Sequence, residues 1–155
     1  MFFVHDDSEL DLYLSRTDHA EPLSAYSAYP FELEGKTWPT VEHYFQAMKY
    51  DNEAEQERIR QSETPELAAK LGSRWFKPKR KDWKSVQVVI MTRGVYIKAR
   101  THPDIAEKLL ATDDQKIVEN SSYDFYWGCG RDRRGENQYG QVLMNVRAKL
   151  KEEQS

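Results

Sequence analysis

The run Gly35-Lys36-Thr37-Trp38-Pro39-Thr40-Val41-Glu42-His43-Tyr44-Phe45-Gln46-Ala47-Met48-Lys49 places a turn and a helix start directly before a group of ionisable side chains. Pro39-Thr40 reads as the helix entry, with the Thr40 hydroxyl as N-cap and Glu42 in the first turn complementing the helix dipole. At about 100° per residue, offsets of four and seven return to one face, so Glu42, Gln46 and Lys49 form a stripe of carboxylate, amide and amine. Beside it runs an apolar arc of Val41, Tyr44, Phe45 and Met48, which puts the stripe at the edge of buried surface. Desolvation there moves the pKa of an acid and of an amine toward neutrality unless the two pair, which suits acid/base or amine chemistry. The plain alternative is a helix-surface Glu–Lys pair worth about 0.3 kcal/mol. His43 projects away from the stripe and reads as a structural histidine.

A second chemistry-bearing stretch runs from Ile117 through Glu119, Asp124 and Trp127 to Gly130, and on from Gly135 through Asn137 to Gly140. Glycine lets backbone approach a ligand closely, so Asp124 and the aromatics beside this loop suggest a binding wall. The alternative is a turn-rich connection packed on Trp127. The loop fits neither a Walker A nor a dinucleotide fingerprint.

The elements that must position these residues follow from pattern. Phe2-Phe3-Val4 is a strand candidate, and Phe31 to Trp38 alternates around a Glu34-Gly35 turn as a hairpin. Helices are expected over 40–50, over 53–61, and from Thr64-Pro65 to Leu71 with Gly72 closing, then a longer one capped by Asp82. A short helix follows Pro103 over 103–110, and the last spans Gln141–Lys151. The fold class is α+β, a helix-rich single domain over 1–155 with a small N-terminal β-sheet.

Composition narrows the function classes. The 155 residues, 39% hydrophobic and 32% charged, suit one folded domain. There is no apolar run of membrane-span length and no signal peptide at the start, so a cytoplasmic protein is expected. The lone Cys129 excludes an intramolecular disulfide, and no His, Cys or carboxylate set has metal-ligand spacing, so a reaction without metal or cofactor is expected. The net charge of -3 argues against stable nucleic-acid binding. Within it, Arg74 to Lys84 is basic and carries Trp75, Phe76 and Trp83, a surface suited to a phosphorylated heterocycle.

With both stretches in view, the chain resembles the NADAR, or YbiA-like, family over residues 23–150. The resemblance is carried by Gly35 to Ala47, Ile59-Arg60 with Thr64-Pro65, Ala68-Ala69-Lys70-x-Gly72, Arg80-x-Asp82-Trp83, Leu109 to Thr112, Val118-Glu119, Asp124-x-Tyr126-Trp127-Gly128-x-Gly130, and Gly135-x-Asn137-x-x-Gly140-x-x-Leu143-Met144-x-x-Arg147. It departs from the family at Leu23-Ser24-Ala25-Tyr26, where members read Phe-Ser-Asn-Phe, and at Ala99, where they carry Phe after Lys98. The resemblance implies an N-glycosidase acting on a ribosyl C–N bond. Its substrate would be a small phosphoribosyl compound, a phosphoribosylamino-pyrimidine of riboflavin biosynthesis, releasing ribose 5-phosphate. The alternatives are removal of ADP-ribose from a nucleobase and, in another class, a non-catalytic nucleotide-binding module. Glu42, Lys49 and Asp124 are the expected catalytic residues. Tyr44, Gln46, Arg60, Arg80, Trp83, Lys98, Glu119, Trp127 and Asn137 are the expected substrate-binding residues, with Lys81 a further phosphate candidate.

Two mechanisms fit these residue types. Lys49 could attack C1′ by transimination, with Glu42 shuttling protons. Alternatively, Glu42 or Asp124 could support direct displacement through an oxocarbenium-like transition state.

Overall fold

The computed structural model describes residues 10–155; the strand expected at Phe2-Phe3-Val4 lies outside them. In chain order the elements are β1 (Leu12–Leu14), β2 (Phe31–Leu33), β3 (Lys36–Trp38), α1 (Val41–Ala47), α2 (Glu53–Arg60), α3 (Pro65–Leu71), α4 (Trp83–Thr101), α5 (Pro103–Leu110), β4 (Ile117–Glu119) and α6 (Gln138–Gln154). The helix-rich α+β class holds.

The sheet is not one N-terminal unit. β2 and β3 form the expected antiparallel hairpin, with Phe31 opposite Trp38. Its turn residues Glu34 and Gly35 both take positive φ, at 59° and 74°, the conformation that a two-residue hairpin turn demands. The other two-stranded sheet pairs β1 with β4 in parallel, Leu12 opposite Ile117 and Leu14 opposite Glu119. Neither three-residue strand has a recognisable alternation. Each exists because the other supplies its hydrogen bonds across a long crossover.

α1 is the central helix, packed against α2, α3 and α4. All seven of its residues are buried, so the Glu42 stripe is not at the edge of buried surface but inside it. Thr40 caps the helix as expected, its hydroxyl accepting from the His43 backbone N–H. His43 spans Thr40 Oγ1 at 2.8 Å and the Ser62 carbonyl at 3.0 Å.

Two terminal assignments change, at Asp82 and at the last helix. Asp82 precedes α4 but makes no capping bond, because both its carboxylate oxygens accept from Arg80. Gly72 closes α3 as its C-cap, as expected, though at φ -77°, an ordinary helical value that any residue reaches. The last helix starts at Gln138, three residues early. Gly140, which read as loop, lies inside its first turn, where a Cβ would stand 2.2 Å from the Ile117 carbonyl. Glycine is what lets α6 press against β4.

Candidate active site

The two informative stretches meet. Phe45 of α1 stands edge-on to Trp127 at 5.4 Å between ring centroids and tilted against Trp83 at 5.0 Å. Trp127 in turn meets Tyr126. This aromatic row, Trp83–Phe45–Trp127–Tyr126, joins the start of α4 to the glycine-rich loop through the middle of α1.

Glu42 is fully buried. Its Oε1 accepts from Gln46 Nε2 at 2.7 Å, one helical turn along. Its Oε2 accepts from Arg16 Nη1, also at 2.7 Å. Its backbone N–H donates to the Ala25 carbonyl. Arg16 was not foreseen. It lies in an irregular turn after β1 with no motif around it, and nothing local marks it as the partner of a residue 26 positions away. Burial works against its charge, but Glu42 first, then Tyr26, Asp124 and Glu119, hold the guanidinium pKa above its usual value. Three carboxylates from α1, β4 and the glycine-rich loop therefore lie within electrostatic reach of one cation.

Lys49, just past the C-terminus of α1, is buried and donates to the Gly72 carbonyl at 3.1 Å. Its Nζ lies 5.7 Å from the Phe45 ring centroid and 5.9 Å from that of Trp83. Burial, and then the positive charge of Lys79, pull its amine down to about 8, with Glu42 opposing and Arg16 adding to the fall. The amine thus titrates well below an ordinary lysine, as burial of an amine that forms no ion pair with the carboxylate on its own helix face dictates.

Gly72 links these groups. A Cβ on it would stand 2.0 Å from Gln46 Oε1. The glycine is there to admit the Gln46 amide while its carbonyl receives Lys49.

Asp124 uses Oδ1 to accept from the backbone N–H groups of Tyr126 and Trp127, at 3.0 and 2.9 Å. It folds the loop, and its charge reaches Arg16. Glu119 accepts from the Ser121 N–H. Tyr123 and Phe125, on either side of Asp124, are 79% and 54% exposed.

Other expected binding residues have their polar groups engaged elsewhere. Tyr44 is on the opposite face of α1, edge-on to Trp38 and Phe31, and is core. Lys98 is buried and spends its ammonium on the Pro22 and Ser24 carbonyls and Ser27 Oγ, at 2.6, 2.9 and 2.7 Å. It ties α4 to the segment behind Glu42 rather than opening to a ligand. Asn137 spans β4, donating to the Ile117 carbonyl and accepting from the Glu119 N–H, so it fastens α6 to the sheet. Arg60 is paired with Glu57 and donates to the Thr37 carbonyl. Arg80 is paired with Asp82, although its backbone N–H donates to the Lys49 carbonyl at 2.7 Å. Trp83 and Trp127 are buried with faces given to the aromatic row. Arg147 binds Thr112 Oγ1 and the Gln115 carbonyl.

Past Lys49 opens a cavity of about 390 Å³ lined by Tyr50, Asp51, Asn52, Glu55 and Lys77–Lys81. Arg74 and Lys77 are paired with Glu55. Lys79 and Lys81 form no ion pair with any described residue. Trp75 projects outward, 92% exposed, from the same loop, apart from the buried Trp83.

The NADAR domain matches residues 2–151. The chain belongs to the NADAR family. It is 39% identical over 147 residues to the N-glycosidase YbiA of Escherichia coli (strain K12), covering 95% of this chain and 91% of that protein. The NMR structure of E. coli YbiA superposes with a TM-score of 0.83 at 39% identity, over 93% of this chain and 88% of that one. The chain is also 36% identical over 126 residues to a riboflavin biosynthesis protein of Vibrio vulnificus (strain YJ016), of which it spans 34%. By this membership of the NADAR family and its likeness to YbiA, the chain is an N-glycosidase. Among the described residues, no helix is long and apolar enough to cross a membrane.

Proposed function

We propose that this N-glycosidase hydrolyses the C1′–N bond of a phosphoribosylamino-pyrimidine of the riboflavin pathway through a Schiff base on Lys49. The observation that carries the reading is the state of Lys49, a buried amine drawn down to about 8 beside, but not bonded to, a carboxylate. A ribosylamine opens readily to a protonated imine, because the exocyclic nitrogen lone pair expels the ring oxygen, which takes up a proton from water. The neutral Lys49 amine then adds to C1′. A proton moves from the lysine nitrogen to the departing nitrogen, the aminopyrimidine leaves as a neutral amine, and the enzyme keeps the sugar as an iminium. Water adds to that iminium, and collapse of the carbinolamine returns Lys49 and ribose 5-phosphate.

Glu42 is the carboxylate whose charge acts on Lys49, and with its two oxygens anchored it stands preorganised to balance the positive iminium. Asp124 has Oδ2 available to activate water. The exposed Tyr123 and Phe125 offer stacking faces for the base that the buried Trp83 and Trp127 do not. For the phosphate, the unpaired Lys79 and Lys81 on the cavity beyond Lys49 are better placed than Arg60 or Arg80, whose charges are already met. The likeness to a riboflavin biosynthesis protein of Vibrio vulnificus supports the pathway assignment.

The test is borohydride reduction of the enzyme turning over 5-amino-6-(phosphoribosylamino)uracil. An adduct of one reduced pentose phosphate on the Lys49 peptide is expected. Turnover that leaves no adduct at saturating borohydride would transfer the chemistry to direct displacement by Glu42 or Asp124. Release of ADP-ribose from an ADP-ribosylated guanosine, with the pyrimidine left intact, would keep the bond type and reassign the substrate.

A further inference from the structure

The cations drawn into this fold differ in how fully the protein satisfies them. Lys98 has three oxygen acceptors and Arg147 two, and neither leaves a buried donor unmet. Their partners account for them structurally. Arg16, with its side chain only 13% exposed, places Nη1 on Glu42 and leaves a buried Nε with no acceptor. A residue kept only to complete the polar packing would not leave a donor stranded, since each such group costs its desolvation.

Its position suggests the reason for it. Glu42 and Lys49 share one stripe of the same helical segment, near enough for the carboxylate to act on the ammonium. In a buried setting a carboxylate and an ammonium within reach are expected to pair, because each is costly alone. They do not pair here. Arg16 and Gln46 occupy one oxygen of Glu42 each, and Lys49 turns to the carbonyl of Gly72. We infer that Arg16 is a positioning residue that holds Glu42 away from Lys49, so that the lysine amine stays unpaired and available as the nucleophile. Arg16 is supplied from outside the helix, by the turn after β1, and its main-chain carbonyl also receives the Ala25 N–H while the Ala25 carbonyl receives that of Glu42. The backbone thereby holds the arginine in register with the carboxylate.

The inference rests on the reading of Lys49 as the nucleophile, but its deciding readout, a titration, needs no substrate. The charged and titratable groups facing Lys49 are Lys79, Glu42 and Arg16. Those facing Glu42 are Arg16, Tyr26, His43, Tyr139 and Lys49. Only Arg16 is changed. The ¹³Cε–¹Hε signal of Lys49, assigned by its loss in Lys49→Arg, is titrated in the full chain for the wild type and Arg16→Met. Without Arg16, Glu42 turns to Lys49 and the midpoint rises by about one pH unit, with turnover at pH 7 falling about tenfold. Arg16→Gln carries the same expectation should the methionine variant not fold. A midpoint that stays at the wild-type value in a folded variant overturns the inference. A wild type that turns over no ribosylamine counts against the proposed function instead, and the titration still decides the role of Arg16.

Discussion

The Lys49 ammonium donates to the carbonyl of Gly72 at 3.1 Å and not to the carboxylate of Glu42 on its own stripe. A main-chain carbonyl solvates the amine without a countercharge, and Glu42 only partly opposes the burial and the Lys79 charge that lower its pKa to about 8. At pH 7 roughly one molecule in ten then carries the free amine, against roughly three in ten thousand for an ordinary lysine. The sign follows: a neutral nucleophile gives a kcat that rises with pH up to about 8 and levels above it. A pH–rate profile measured under saturating substrate checks this, and Lys49→Ala is expected to lose at least about a thousandfold.

Gly72→Ala separates two roles for that glycine. The backbone there is helical, so alanine by itself costs nothing and a helix-capping role predicts a neutral or slightly stabilised protein. A Cβ 2.0 Å from Gln46 Oε1 instead forces the amide to move. The expected outcome is a loss of about 1–3 kcal/mol in a thermal or urea melt, with kcat down about tenfold as Gln46 releases Glu42.

Asn137 sits at φ 50° with both ends of its amide bonded across to β4. Asn137→Ala loses both bonds and places alanine in the left-handed region. Destabilisation of about 2–4 kcal/mol is expected in denaturant titration. A KM effect with unchanged stability would return the residue to the ribose.

Lys98→Met strips three acceptors of their shared donor in a buried place. A loss of about 3–5 kcal/mol is expected from equilibrium unfolding. Trp75→Ala, at an almost fully exposed side chain, is expected to stay within about 0.5 kcal/mol in the same assay.

Local patterns made much of this protein legible in its sequence. Thr40, Thr64 and Pro65 announced two helix starts, Glu34-Gly35 a hairpin, and the spacing of Glu42, Gln46 and Lys49 a shared face, because caps, turns and helical period act over a few residues. The same period told which aromatics belong to α1 but not which had faces left for a ligand. The parallel pairing of β1 with β4 spans the chain, and each strand is too short to show alternation. Gly72 read as a helix end and Gly140 as loop, whereas their absent side chains also make room for Gln46 and the Ile117 carbonyl. Lys98 and Asn137 carry motif-grade polar groups whose partners lie 71 and more residues away for the lysine and 18 and 20 for the asparagine. By itself, the sequence determined which groups could do chemistry. Only the tertiary structure decided which of them remain uncommitted, since a carboxylate, an amine or an arginine is reactive or structural according to the partner that folding brings within about 3 Å.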